Sequence, residues 1–175
     1  MLASVWIKLD SKGPVLFRQE RIGKYGIPFS IHKFRTMRLD SESVGRLTVG
    51  SDSRITHSGN VLRKYKIDEL PQLIDVLTGR MSFVGPRPEV QEFIDEYPSD
   101  IRKKILSVLP GITDLASIEM VDENEILGQY DDARKAYIDI ILPIKYNYYL
   151  DYVRENSVLL DIKIIIKTIL KIITR

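Results

Sequence analysis

The stretch that most restricts this chain runs from Tyr65 to Pro88, YKIDELPQLIDVLTGRMSFVGPRP. Leu70, Leu73, Ile74 and Leu77 fall at i, i+3, i+4 and i+7, so the spacing predicts a short amphipathic helix with one apolar face. Asp68 stands where an N-cap would, Pro71 is tolerated in the first turn, and Gly79 supplies the stop. A brief apolar run, Met81 to Val84, then enters Gly85-Pro86-Arg87-Pro88. Prolines fix φ on either side of Arg87, so its guanidinium is held on a stiff loop. Two adjacent carboxylates, Asp68 and Glu69, thus share one supersecondary unit with a helix N-terminus and a rigid arginine. An Asp cap followed by a first-turn Glu is also ordinary helix chemistry worth about 1 kcal/mol, so spacing alone leaves the pair either a cap or a site.

A chain of 175 residues is long enough for one domain with its own core. Without cysteine it has no disulfide, thiolate metal site or cysteine nucleophile, and with only His32 and His57 a histidine-rich metal site or relay is excluded in practice. The net charge of +2 is unevenly placed. Residues 1–66 hold 13 Lys/Arg against 5 Asp/Glu, and the remainder 13 against 19. A basic first third suits an anionic partner such as phosphate, lipid head groups or nucleic acid. A nucleic-acid reader is disfavoured, because the chain carries no recognisable reading motif and no sustained basic-aromatic strand pattern. No apolar run approaches the ~20 residues that span a bilayer. Lys8 and Asp10 interrupt the opening run Leu2 to Ile7 too soon for a signal peptide, and the opening reads as the tail of a helix.

Residues 14–22 and 27–37 are rich in β-formers and flank Gly23-Lys24-Tyr25-Gly26, which predicts a hairpin with Arg18, Arg21, Lys33 and Arg35 along it as a basic surface. Residues 38–60 form a long aperiodic loop rich in Ser and Gly, after which Ser58 is expected to cap a short helix through Tyr65 bearing Arg63. Two helices parted by Pro98 cover 89–97 and 99–108, and two more, split at Pro143, cover roughly 131–142 and 144–154. The acidic residues of 119–132 lack metal-ligand spacing and read as solvated surface. Tyrosines crowd 137–152 and fit either a core or an interfacial belt. The fold class predicted is α+β: one mostly helical domain with a small N-terminal β-hairpin.

The last segment, Ser157 to Arg175, repeats Lys163, Lys167, Lys171 and Arg175 every four residues on a helix otherwise dominated by Ile and Leu. Such a helix either lies in a membrane interface with its lysines among lipid phosphates or packs a wide apolar face on the core and shows the lysines to water. The first alternative makes Lys163, Lys167 and Lys171 membrane-facing.

Five blocks carry a family resemblance: KLDSKGPVLFRQERIG (8–23), FSIHKFRTM (29–37), LRKYKIDELPQLIDVLTGRMSFVGPRP (62–88), PGIT (110–113) and SVLLDIKIIIKTI (157–169). In their order and content these resemble the bacterial sugar transferases, the monotopic polyprenyl-phosphate sugar-1-phosphate transferases. DELPQL followed by SFVGPRP is highly specific. The resemblance extends over nearly the whole chain, 1–175, with the family's N-terminal re-entrant membrane helix largely missing. It implies a membrane-associated enzyme on the cytoplasmic face of the bacterial inner membrane. Such an enzyme moves a sugar 1-phosphate from a UDP-sugar to undecaprenyl phosphate and releases UMP, initiating a surface glycan that downstream glycosyltransferases extend.

By motif match, the catalytic dyad with Mg²⁺ is Asp68 and Glu69, and the phosphate-binding cations are Arg63 and Arg87, joined by Lys33 and Arg35 from the block at 29–37. Asp68 is expected to attack and form an aspartyl phosphosugar, with a helix N-terminus keeping its carboxylate ionised. The chain departs from the pattern at Leu109, where members often carry Arg, and at 118–124, which reads IEMVDEN instead of a segment ending in Asn-Gly-Arg. A non-catalytic peripheral membrane scaffold is the alternative, and an intact dyad with both arginines argues against it.

Overall fold

The computed structural model describes residues 2–39, 47, 52–120 and 122–174; the stretches 40–46 and 48–51 of the long loop expected over 38–60 lie outside the described residues. Helix α1 (Leu2–Asp10) leads into the hairpin, β1 (Leu16–Ile22) against β2 (Pro28–Phe34), antiparallel with Leu16 opposite Phe34 and Ile22 opposite Pro28. The turn between them is where the Gly-bounded GKYG predicts it, with Tyr25 at φ 60°. Because successive strand side chains alternate faces, Arg18 and Arg21 cannot share one. Arg21, Lys33 and Arg35 line a common cleft, whereas Arg18 is exposed.

Helix α2 (His57–Lys64) is capped by Thr56, whose hydroxyl accepts from the Gly59 N–H at 3.0 Å. Ser58, the expected cap, sits one residue inside the helix. Its N–H and hydroxyl both donate to Asp10 at 2.7 Å and fasten α2 to the end of α1. Beyond α2, Lys66 adopts the left-handed conformation (φ 55°) and reverses the chain into a 3₁₀ segment, Ile67–Gln72, that continues as α3 (Leu73–Leu77) and stops at Gly79 (φ 72°). Asp68 is therefore the second residue of the 3₁₀ turn and not an N-cap; Lys66 makes the entry, and its side chain gives no capping bond.

This segment is turned inside out. An apolar stripe ordinarily marks the buried face of a helix, yet Leu70, Leu73, Ile74 and Leu77 are exposed, Leu77 to 87 %. The buried side is polar and carries Asp68, Glu69, Gln72 and Asp75.

Strand β3 (Ser82–Val84) lies parallel to β4 (Gly111–Thr113), with Ser82 beside Gly111 and Val84 beside Thr113. Gly85 and Gly111 permit this approach: a Cβ on Gly111 would come within 2.1 Å of the Gly85 nitrogen, and one on Gly85 within 2.6 Å of the Leu109 carbonyl. The crossing anchors the Pro-Arg-Pro loop against β4.

Helices α4 (Gln91–Asp95) and α5 (Ser99–Ile105) part at Pro98 as expected. After the short α6 (Leu115–Glu119) and α7 (Glu123–Leu127), α8 (Ala133–Ala136) passes through a π-helical turn, Tyr137–Ile141, into α9 (Leu142–Glu155). The expected break at Pro143 does not occur. A proline lacks an N–H and crowds the carbonyl four residues back, and the wider π turn just before Pro143 relieves both defects while the helix runs on.

One core joins Ile22, Phe93, Ile94, Tyr97, Tyr137 and Tyr149 among others, so the tyrosine-rich region is largely interior. A second core, Val84, Ile118, Tyr152 and Ile164, seats α10 (Val158–Ile173). Thr168 and Thr113 hydroxyls lie 2.7 Å apart, and the Tyr152 hydroxyl bridges Val84 O (3.1 Å) and Asp161 Oδ1 (2.9 Å), tying α10 to both short strands. Only a narrow face of α10 is packed. Ile162, Ile166, Ile169, Leu170 and Ile173 are exposed, and so are Lys163, Lys167 and Lys171 on a separate stripe. Among the described residues, no helix is long and apolar enough to cross a membrane.

Candidate active site

The reversal at Lys66, the inward polar face of the 3₁₀ segment, β2 and the Pro-Arg-Pro loop converge on one cleft of about 940 Å³. Left-handed backbone at a residue other than Gly costs of order 1 kcal/mol and persists where surrounding contacts enforce it. Here it swings Asp68 and Glu69 inward beneath β2. Both carboxylates are buried, with Asp68 8 % exposed.

The two neighbours have opposite electrostatics. Glu69 is gripped by Arg87: Nη2 donates to Oε1 and Nη1 to Oε2 (3.3 Å), while Lys33 Nζ stands 3.6 Å from Oε1. Burial alone would push the Glu69 carboxyl up, but Arg87 and Lys33 together hold it well below the usual carboxylate range. Arg87 is correspondingly held well above the ordinary arginine value by Glu69. Asp68 has no such partner. Its Oδ1 is buried without a hydrogen bond, and burial, followed by the charge of Glu69, pushes its carboxyl up. The expectation that a helix N-terminus keeps Asp68 ionised is not met, since burial and Glu69 push its carboxyl up. Burial and charge thus drive the two neighbouring carboxyl groups in opposite directions.

Cations surround the pair. Burial, then the nearby Arg87 charge, lowers Lys33 to about 8. Arg63 Nε donates to Thr36 Oγ1 at 2.9 Å from the same cleft wall, and its charge acts on Asp68. Arg35 also lines the cleft, but its guanidinium is bound to Ser11 and Pro14: Nε to Pro14 O (2.6 Å), Nη1 to Ser11 Oγ (2.5 Å) and Nη2 to Ser11 O (2.9 Å). It holds the end of α1 onto β2. Lys163, Lys167 and Lys171 are on α10, outside the cleft.

The cleft lining also includes residues that sequence reasoning missed. Glu89 accepts from the Tyr137 hydroxyl (2.8 Å) and pairs with Arg21 and Lys145 (each 3.5 Å), and Lys145 also meets Glu123 at 2.8 Å. Glu89 is held below its ordinary value because Lys145 and Arg21 outweigh its burial. Tyr137 is 48 positions from Glu89; no local pattern could signal the pairing. Among the described residues, no three His, Asp or Glu side chains converge as a closed metal cage. The cleft offers an unpartnered carboxylate oxygen beside several cations, an arrangement suited to a phosphate-bearing substrate that brings further oxygen ligands of its own.

A sequence model of the family described as bacterial sugar transferase matches residues 1–175. The chain is 40 % identical over 178 residues to the UDP-N-acetylgalactosamine-undecaprenyl-phosphate N-acetylgalactosaminephosphotransferase of Aeromonas hydrophila, covering 99 % of this chain and 39 % of that one. It is 40 % identical over 168 residues to the UDP-glucose:undecaprenyl-phosphate glucose-1-phosphate transferase of Escherichia coli (strain K12), covering 94 % and 34 %. With the exopolysaccharide production protein PSS of Rhizobium leguminosarum bv. phaseoli it shares 36 % over 187 residues, covering 100 % and 86 %. The chain thus spans little more than a third of the length of the first two relatives.

Proposed function

Because the chain belongs to the bacterial sugar transferase family, we propose that it is a phosphoglycosyl transferase that moves a sugar 1-phosphate from a UDP-sugar to undecaprenyl phosphate and releases UMP. The names of the relatives support both substrates. The observation that carries the reading is the split dyad, with Glu69 clamped by Arg87 and Asp68 buried with a bare oxygen.

In the proposed sequence an Asp68 carboxylate oxygen attacks the phosphorus bearing the sugar. The bond from that phosphorus to the bridging oxygen breaks, and UMP leaves with the oxygen and its electron pair. An undecaprenyl phosphate oxygen then attacks the same phosphorus, and Asp68 departs as a carboxylate. A desolvated carboxylate is more basic than an exposed one and correspondingly more nucleophilic. Arg87, Lys33 and Arg63 face the charge that develops on the phosphate oxygens, and Arg35 supports the strand that carries Lys33. Asp68, with its unpartnered oxygen, and Glu69, held ionised, are the residues that would hold Mg²⁺, whose usual site is one or two carboxylates completed by water and substrate phosphates. When bound, Mg²⁺ supplies further neutralisation of the phosphate charge.

A panel of UDP-sugars tests the reading, each incubated with the protein, Mg²⁺ and polyprenyl phosphate. One or more should release UMP with a phosphosugar appearing on the lipid, and silence across the panel refutes it.

The same proposal places the protein at the cytoplasmic face of the inner membrane, with α10 along the bilayer surface and lysines 163, 167 and 171 among lipid phosphates. The exposed isoleucines beside that stripe support it, since a helix merely covering the core would show water only its polar side. Changing the three lysines to glutamate should cut cosedimentation with anionic liposomes at least about tenfold, at roughly 1 kcal/mol per basic residue near such a surface. Undiminished binding would leave the stripe as solvated surface.

A further inference from the structure

Asp75 is a buried carboxyl group for which the phosphotransfer chemistry has no direct use. It is 0 % exposed on the inward face of α3, and its carboxylate closes on a single residue of the hairpin: Oδ2 accepts the His32 backbone N–H at 2.9 Å, and Oδ1 lies 2.8 Å from His32 Nδ1. Its own carbonyl accepts the N–H groups of Arg80 and Met81 (2.9 and 3.1 Å), which fixes the end of α3 to the start of the strand leading to Arg87. Among the described residues, the hairpin it grips is a two-stranded sheet. The turn fixes the register of β1 against β2 but not where the ribbon lies against the dyad segment, and a shift of one residue turns every side chain to the other face. His32 immediately precedes Lys33, whose Nζ reaches Glu69. A one-residue slip would put His32 or Phe34 where Lys33 stands.

We propose that the Asp75–His32 clamp is a positioning device that sets the register of β2 against the dyad segment, so that Lys33 and not a neighbour meets Glu69. The inference rests on the phosphotransfer reading for its kinetic consequence only. A buried polar contact is weak evidence for stability, and its best-attested use is to fix registry. The geometry matches that use: a carboxylate that holds both the backbone and the ring of one residue constrains translation along the strand, which apolar packing does not.

The test is a double-mutant cycle on UMP release, using Asp75→Ala, Lys33→Ala and the pair together, with circular dichroism on each. Displacing a group by about 1 Å from the chemistry costs up to ~10²-fold, so Asp75→Ala is expected to lower kcat roughly 10- to 100-fold with KM changed less than about twofold. That loss should vanish in the Lys33→Ala background, since coupled residues are non-additive. Asp75→Asn should restore most of the rate, because its amide oxygen can accept the backbone N–H while its NH₂ donates to an unprotonated Nδ1. Full activity in folded Asp75→Ala, or losses that multiply in the double variant, overturns the proposal. If Asp75→Ala does not fold, His32→Ala takes its place in the cycle, and the same results support or overturn the proposal. A parent that releases no UMP tells against the phosphotransfer reading instead. The clamp is then judged from NMR contacts between β2 and the dyad segment: removing Asp75 should displace Lys33 from Glu69, and contacts that stay unchanged reject it.

Discussion

Replacing Asp68 by Asn should abolish turnover, by at least about 10³-fold, while the fold survives. The substitution is nearly isosteric, and its carboxamide fits the same buried corner without the charge that burial and Glu69 oppose. Replacing this carboxylate costs the native state no hydrogen bond at Oδ1, because none is made there. The thermal midpoint should therefore hold or rise. What disappears is the nucleophile, since an amide oxygen does not form a stable bond to phosphorus. In a single-turnover experiment with UDP-sugar and Mg²⁺ but no acceptor, the parent should give a stoichiometric burst of UMP and a phosphosugar mass on Asp68, and Asp68→Asn neither. A variant that keeps full turnover, with UMP appearing only after polyprenyl phosphate is added, would favour direct single displacement. Under a non-catalytic membrane scaffold the substitution would be silent.

Arg87→Ala has the next largest expected effect. Loss of one preorganised charge facing a developing oxyanion commonly lowers the rate about 10²–10³-fold, and Arg63→Ala should fall in the same range if it too meets phosphate. Arg87→Ala carries a second signature that Arg63→Ala lacks. Lys33, lowered to about 8 by burial and then by Arg87, loses its charge as the pH rises through that value, so the parent's rate should decline on the alkaline side near pH 8. Removing Arg87 takes away a like charge that disfavours protonated Lys33 and frees Glu69 to pair more fully with it. Both changes raise the lysine, so the alkaline limb should move upward in Arg87→Ala and be absent in Lys33→Ala. Stability shifts as well. Glu69 has a depressed folded value, so its contribution is present above the unfolded carboxylate range and lost as pH falls through the folded one. Without Arg87 that loss should begin at higher pH, and a rate loss under about threefold with an unmoved limb, well below the usual range for such contacts, would make Arg87 structural.

Much of this was legible in residue order because it rests on local chemistry. GKYG between two β-rich runs specifies a hairpin, Pro98 parts two helices, Gly79 ends α3, and the Pro86-Arg87-Pro88 loop is stiff wherever it is put. The errors have a common physical source. Thr56 rather than Ser58 caps α2 because Asp10, far away in sequence, claims Ser58. Lys66 rather than Asp68 begins the dyad turn because a left-handed residue other than Gly carries no sequence mark. Pro143 fails to break its helix because a π turn absorbs it. The wall built from Glu89, Lys145, Glu123 and Tyr137 is assembled wholly by tertiary contact.

The inverted dyad segment also bears on how this chain tolerates change. In a saturation library selected for folding away from lipid, the usual rule should reverse across the segment. Leu70, Leu73, Ile74 and Leu77 should accept Ser, Gln or Lys with gains in solubility, while Gln72, whose polarity marks it as harmless surface, is buried and should reject charged or larger residues. Profiles trained on ordinary helices would rank these positions backwards, and an engineer seeking a monodisperse sample should begin with Leu77 and leave the polar residues alone.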